Sequence, residues 1–304
     1  LDTEFLVEKF LNHWKPKAVF FIESEIWPNM IMKIKKKNIP LILLNARITS
    51  KSFNRWSKIK KFSKSIFNLI SVAYPQNNET KFFLKKLNVK NIRLIGNLKF
   101  IQNKKLGENN NKKEKKLFKQ FKKYKTFVAA STHPTEEMIA AKTHLLLKKK
   151  NKNFITIIIP RHVQRTNEII SELKKLKLKI VVHSSKNKNL RNTDIYIVDT
   201  FGESKKFYKI ASTVFVGGSM INRGGQNPLE PARYGTKILH GPNVGNFKEI
   251  YDYLNSLNIS SKVKTPIEIS NLFKLKKNMS KVIKIDIIGK NILKKTLKEL
   301  NKSI

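Results

Sequence analysis

Short runs of contiguous apolar residues, each closed by a polar cluster and followed by a lysine-studded amphipathic stretch, recur along this chain. That rhythm constrains its fold more than any other feature. Residues 18–22 (AVFFI), 40–44 (PLILL), 69–73 (LISVA) and 126–130 (TFVAA) begin the series, and 154–159, 179–183, 195–198, 213–216 and 237–239 continue it. A strand that is apolar throughout, rather than at alternate positions, is covered on both faces, so parallel sheets flanked by helices are predicted. Residues 31–37, 62–68 and 80–87 are predicted helical, 92–95 extended, and 286–302 a terminal helix able to pack back on the first domain. Residues 102–116, with the triplet Asn109-Asn110-Asn111, contain nothing that could build a core. The expected organisation is α/β: a first domain over 1–101, a linker over 102–122, and a second domain over 123–304. The two would flank a cleft, with ligands at the C-terminal ends of the strands.

The formal net charge of +42 invites a polyanion-binding reading. Arginine, however, supplies only eight of the 63 basic residues. Nucleic-acid readers favour the bidentate guanidinium fork, so the lysine surplus is read as compositional drift and no nucleic-acid partner is expected. An anionic membrane surface would still attract such a chain, by about 1 kcal/mol per nearby lysine. Cysteine is absent, which excludes disulfides and a thiol nucleophile. No histidines or carboxylates have metal-ligand spacing, so no metal held by side chains alone is expected. No apolar stretch approaches the roughly 20 residues of a membrane span.

The polar clusters after the strands are the candidate sites. Glu23-Ser24-Glu25 precedes Trp27, and its carboxylates suit orienting a hydroxyl or steadying positive charge, with an N-cap pair as the alternative. Lys99, in GNLKF, could neutralise a leaving phosphate or simply face solvent. The small residues before Thr135 predict a capped helix N-terminus, with His133 either a general acid or a turn former. Pro160-Arg161-His162 offers a phosphate or carboxylate fork, or a structural ion pair. Phe201-Gly202-Glu203 opens a helix near Ser204. Gly217-Gly218-Ser219 is predicted to feed a flexible loop whose glycines admit phosphate to main-chain N–H groups. Asn227-Pro228-Leu229-Glu230 then starts a helix, with Pro228 in its first turn and Glu230 able to accept both ribose hydroxyls.

In this order the segments ESEIWPN (23–29), LLNARIT (43–49), GNLKF (96–100), ASTHPTEE (130–137), PRH (160–162), DTFGE (199–203) and FVGGS…GGQNPLEPA (215–232) resemble the 3-deoxy-D-manno-octulosonic acid (Kdo) transferases of Gram-negative bacteria. The resemblance implies a GT-B glycosyltransferase of two Rossmann-like parallel-sheet domains. It would move Kdo from CMP-Kdo, the donor substrate and not a cofactor, onto the lipid A precursor (lipid IVA), with inversion, at the cytoplasmic face of the inner membrane. Pro160, Arg161, Phe201, Gly202, Glu203, Asn227, Pro228, Leu229 and Glu230 would hold the nucleotide. Lys99 would act on the departing phosphate and Glu23 at the reacting sugar. The family opens with a membrane anchor and a Gly-Glu loop whose carboxylate is the proposed base, whereas this sequence opens at Leu1, matching a point within the first domain. The expectation is therefore an incomplete first domain, no base, and a chain that binds nucleotide better than it catalyses. Two other classes stand beside this one: a GT-B-fold nucleotide-sugar epimerase, and a basic module binding RNA or anionic lipid.

Overall fold

A computed structural model describes residues 2–101, 112–186 and 189–302, with the side chains of 112–115 left aside. The chain divides into two compact units, one formed by Leu1–Asn103 with Asp286–Ile304 and the other by Lys104–Ile285.

The first unit is built on a three-stranded parallel sheet in the order β1 (Val19–Ile22), β2 (Leu41–Ala46), β3 (Val72–Pro75). Leu41, Ile42 and Leu43 of the central strand are all buried, as an unbroken apolar run requires. One face packs Leu41 and Leu43 against Ile31, Ile34, Phe67 and Leu84. The other face carries Ile42, Val72 and Tyr74, with Leu300 against them. Leu300 ends the helix Ser280–Leu300, whose residues from Asp286 onward belong to this unit. Assigning 123–304 to one domain is therefore corrected. Arg93 holds Glu299 at 2.5 Å, and Gly289 passes so close to Phe100 that an added Cβ would stand 2.3 Å from its carbonyl oxygen. Residues 92–95, predicted extended, make only a single bridge, Ala73 to Ile92. The helices Glu4–Trp14 and Ser50–Lys58 complete the unit and were not predicted.

The second unit holds seven parallel strands: β4 (Lys125–Thr132), β5 (Phe154–Pro160), β6 (Ile180–Val182), β7 (Ile195–Ile197), β8 (Thr213–Val216), β9 (Lys237–His240) and β10 (Ser260–Lys262). Their order is β10-β9-β8-β4-β5-β7-β6. Only β10, short and polar, went unpredicted. β4 pairs with β5 on one side and β8 on the other, so the chain reverses its direction of winding at β4. The crevice beyond such a reversal is where doubly wound sheets take ligands. Of the predicted linker, 102–111 lies outside the described residues, while Lys112–Phe121 is a helix of this unit. Its Leu117 and Phe121 are buried, Phe121 meeting Tyr196 edge-on at 5.1 Å, which excludes a linker role.

A buried polar cluster ties helix Glu136–Lys150 to the sheet. His144 meets Thr156 Oγ1 at 3.1 Å and Asp194 at 3.3 Å, while Lys148 and the Lys179 N–H (2.9 Å) also donate to Asp194. Burial opposes ionisation of Asp194, but His144, Lys148 and the Lys179 amide outweigh it and hold its carboxyl well below the usual carboxylate range. A depressed folded pKa contributes stability that is present above the unfolded carboxylate value and lost as pH falls through the folded one. Asp194→Asn is expected to lower stability at pH 7 by about 1–3 kcal/mol. Urea titrations of both proteins should show that gap narrowing as pH drops below about 4, the unfolded aspartate value.

Candidate active site

The loops that follow β4 and β8 converge on one carboxylate, that of Glu136. It is fully buried, and it accepts hydrogen bonds from the N–H groups of His133 (3.0 Å), Gly218 (2.7 Å), Ser219 (3.0 Å) and Met220 (2.9 Å). Successive amides turned toward one point make an anion-binding concavity, and here the anion is the protein's own. The glycine-rich turn therefore does not offer the N–H groups of Gly218 and Ser219 to a phosphate, contrary to the sequence-based prediction. Gly217 is required by space: a Cβ there would stand 2.4 Å from the Ser131 carbonyl oxygen and 2.7 Å from Glu136 Oε2.

The segment after this turn is not a flexible loop either. Gly225 N–H donates to Gly218 O (2.8 Å), Asn246 N–H to Gly224 O (2.9 Å), and the Tyr251 hydroxyl to Gln226 O (3.1 Å). Thr135 does not cap the following helix with its side chain. It takes a left-handed conformation (φ 78°), while Glu136 turns back to the His133 amide. Glu137 is likewise buried, and Arg165 holds it at 2.9 Å.

Around this turn stand two histidines and two arginines. His133 is buried, with His162 edge-on at 5.8 Å. Burial pushes His133 below the ordinary histidine range; the Glu136 carboxylate opposes this, and His162, Arg223 and Arg161 add to it. Arg161 and Arg223 themselves are exposed, and the Arg161 N–H donates to Thr132 O at 3.0 Å, which joins the ends of β4 and β5. An exposed arginine pair beside a neutral imidazole, at the winding reversal, presents positive charge to an incoming anion.

The remaining predicted nucleotide residues fall in a second group. Phe201 (73% exposed) and Gly202 lead into the helix Ser204–Ile210. Glu203 pairs with Lys206 at 2.7 Å, and Lys205 of that helix reaches Glu230 at 4.0 Å. Asn227 Oδ1 accepts from the Leu229 N–H at 3.0 Å, and Pro228 immediately precedes the helix Leu229–Ala232. Pro160 closes β5 and is buried, and Leu229 is wholly buried, so both lie beneath the exposed residues of this group.

In the first unit, Glu23 and Lys99 form an ion pair at 2.9 Å, both partly exposed. Glu23 sits just beyond β1 at φ 60°, held there because its N–H donates to Leu44 O and its carbonyl accepts from the Arg47 N–H, each at 3.0 Å. Lys99 lies in a short 3-10 turn, Leu98–Phe100, fixed by two buried asparagines. Asn45 Oδ1 accepts from the Leu98 N–H and Asn97 Oδ1 from the Lys99 N–H, each at 3.0 Å. Neither Glu23 nor Glu25 caps the helix Pro28–Lys36: Glu25 accepts from Trp27 Nε1 (2.7 Å), and Asp2 takes the N–H groups of Asn29 and Met30 at 2.9 Å. The N-cap alternative for the acidic pair is thereby set aside. Among the described residues, no group of three or more His, Asp or Glu could hold a metal ion.

Comparison with known proteins gives this arrangement a lineage. Residues 1–102 match the family model described as 3-deoxy-D-manno-octulosonic-acid transferase (kdotransferase). The sequence is 32% identical to the 3-deoxy-D-manno-octulosonic acid transferase of Haemophilus influenzae over 256 residues, which is 84% of this chain and 60% of that protein. It is 33% identical to the Rickettsia typhi enzyme of the same description over 294 residues, 97% of this chain and 63% of that protein. The chain belongs to the Kdo transferase family. It spans about three fifths of the length of these Kdo transferases. The solved structure of the trehalose-6-phosphate synthase OtsA superposes with a TM-score of 0.60 at 10% identity, over 98% of this chain and 75% of that one, and shows the GT-B glycosyltransferase fold.

Sequence reasoning passed over Glu136, Asn45 and Asn97. For Glu136 the available signal was a pair of acids directly after small residues at a predicted helix start. Glu136→Ala leaves four N–H groups without their acceptor and is expected to destabilise the protein by about 3–5 kcal/mol. Thermal melts of the variant beside Glu168→Ala, an exposed acid on the next helix, should show a large drop for the first and a small one for the second.

Proposed function

We propose that this chain is a CMP-Kdo-dependent glycosyltransferase that transfers Kdo to the lipid A precursor with inversion at the sugar carbon. In that reaction the acceptor hydroxyl oxygen bonds to the anomeric carbon of Kdo as the bond to the CMP phosphate breaks. The hydroxyl proton passes to a base, and the electron pair leaves with CMP. The observation that carries the reading is the convergence of Arg161, Arg223 and His133 at the ends of β4, β5 and β8, in a family whose named members are Kdo transferases.

In this reading Arg161 meets the CMP phosphate, Glu203 and Glu230 accept from ribose hydroxyls, and Phe201, Gly202 and Asn227 close around the nucleotide above the buried Pro160, Pro228 and Leu229. Glu23 steadies positive charge at the reacting sugar, and Lys99 neutralises the departing phosphate. Pairing the two in the absence of substrate keeps both charged groups ordered until the substrate separates them. The donor is a substrate, and no cofactor or metal enters the scheme. The reaction belongs to lipopolysaccharide biosynthesis at the cytoplasmic face of the inner membrane. The formal charge of +42 suits an anionic lipid surface, and among the described residues no helix is long and apolar enough to cross a membrane.

Calorimetric titration of the whole chain tests the proposal. CMP is expected to bind saturably at one site and UDP more weakly, and Arg161→Ala to weaken CMP by about 10- to 100-fold, the loss of a charged hydrogen bond. UDP preferred to CMP would favour an epimerase of nucleotide sugars. Absence of saturable CMP binding, with steeply salt-dependent RNA binding, would replace the enzyme with a basic binding module.

A further inference from the structure

At the opposite end of the second unit's sheet, where β8, β9 and β10 begin, lies a cavity of about 570 Å³. That volume is within the range of small-molecule sites. Five of its lining residues are lysines (Lys237, Lys274, Lys276, Lys277 and Lys281), and none of the lining residues is acidic. Lysine is common throughout this chain, so number alone decides nothing. The decisive point is that three of these ammonium groups are fixed and partly buried rather than spread into solvent.

Lys237 Nζ donates to Asn258 O (3.4 Å) and Ser260 O (3.3 Å), Lys281 Nζ also to Asn258 O (3.4 Å), and Lys277 Nζ to Tyr208 O (2.9 Å) and Lys209 O (2.6 Å). Carbonyl dipoles satisfy hydrogen bonds but do not cancel charge, and burying uncompensated cations is unfavourable. Lys237 bears the consequence: burial, then Lys281 and Lys274, push its ammonium below the ordinary lysine range, and burial does the same to Lys277. An anion entering the cavity would relieve this repulsion and meet preordered donors, since Lys237 and Lys277 each keep one proton, and Lys281 two, beyond those given to the carbonyls.

We infer that this cavity is a binding site for closely spaced phosphate groups, a diphosphate or short oligophosphate, separate from the proposed nucleotide site. One phosphate is too small to engage five lysines around such a volume, whereas linked phosphates reach several at once. The shared chemistry could be presented by a soluble diphosphate or by phosphate on a lipid headgroup.

The test uses the whole chain with CMP present in excess, so that the nucleotide site cannot answer for this one. Lysine acetylation read by mass spectrometry is expected to fall at least fivefold at Lys237, Lys277 and Lys281 when pyrophosphate is added, with Lys61 and Lys64 unchanged. Vesicles of phosphatidylinositol bisphosphate, whose headgroup carries two neighbouring phosphates, in phosphatidylcholine form the second arm. Protection by them and not by pyrophosphate assigns the site to lipid phosphate; protection by pyrophosphate assigns it to the soluble class. In calorimetry, the triple substitution Lys274→Glu, Lys276→Glu, Lys281→Glu should weaken pyrophosphate at least tenfold, and Lys61→Glu, Lys64→Glu, Lys81→Glu, equal in charge, should not. No selective protection in either arm, or equal loss from both triples, overturns the inference by reducing the effect to the general field of a basic protein. If the first triple does not fold, the protection pattern of the unmodified chain decides alone.

Discussion

The second unit depends on a negative charge placed where there is no water. Glu136 stands at the first turn of helix Glu136–Lys150, where the helix dipole already favours an anion, and gathers three consecutive amides of the turn after β8 together with that of His133. Four charge-assisted hydrogen bonds offset the cost of burying a carboxylate that has no ion-pair partner among the described residues. Through them the ends of β4 and β8, neighbours in the sheet but more than eighty residues apart in sequence, become one rigid floor. Ser219 extends that floor to β9, since its hydroxyl accepts from the Gly241 N–H at 2.8 Å. What lies on the floor, His133 with Arg161 and Arg223 nearby, is left to act on something outside the protein.

This arrangement reverses the usual logic of a glycine-rich loop. Such loops are read as cradles in which bare amides wait for a phosphate. Here the glycines serve the internal carboxylate: Gly217 because no Cβ fits beside Ser131, and Gly218 because its amide must reach Glu136. Charge for an anion arriving here must then come from side chains, and two of the chain's eight arginines, Arg161 and Arg223, are found at that place. Other arginines, Arg93 on Glu299 and Arg165 on Glu137, use the planar fork on internal carboxylates instead.

The sheets were legible because burial on both faces leaves a mark that composition bias cannot erase. Ile157, Ile158 and Ile159 could hardly be anything but the interior of a parallel sheet. Helices were harder: Ser50–Lys58 sets only Phe53 and Trp56 against the core and buries neither fully, too few apolar positions for the period to register. The polar half-strand Ser260–Lys262 gave no signal for the same reason. Candidate site residues could be picked out of the sequence only where a residue type is distinctive in itself, as with Arg161 or the Glu23 segment. Asn45 and Asn97 act through amide oxygens aimed at particular N–H groups, a role that any asparagine in an asparagine-rich chain could claim. Glu136 is harder still, because a carboxylate beside Glu137 looks like ordinary dipole compensation until its four donors are seen.

Backbone conformation makes the same point without reference to any side chain's chemistry. Left-handed residues other than glycine are uncommon, and they cost free energy unless the surroundings hold them. In this chain several stand at helix ends, where that conformation is routine, but Glu23, Asn45, Ser131 and Thr135 stand at or just beyond the ends of β1, β2 and β4. The register of β2 against β3 shifts at Asn45, and that of β4 against β5 shifts at Ser131. Each unit thus breaks its sheet ladder at one strand end and spends the irregularity on turning a polar segment out of the sheet. In the first unit the break frees Asn45 to fix the turn that carries Lys99, opposite Glu23. In the second it swings Ser131 to Glu136 into the position from which the carboxylate reaches back across β8. Left-handed residues also precede strands, as Asn38, Asn192 and Asn258 do before β2, β7 and β10. Among the described strands, however, the two that coincide with a register shift, Asn45 and Ser131, both fall at C-terminal ends, where each turns a polar segment away from its sheet.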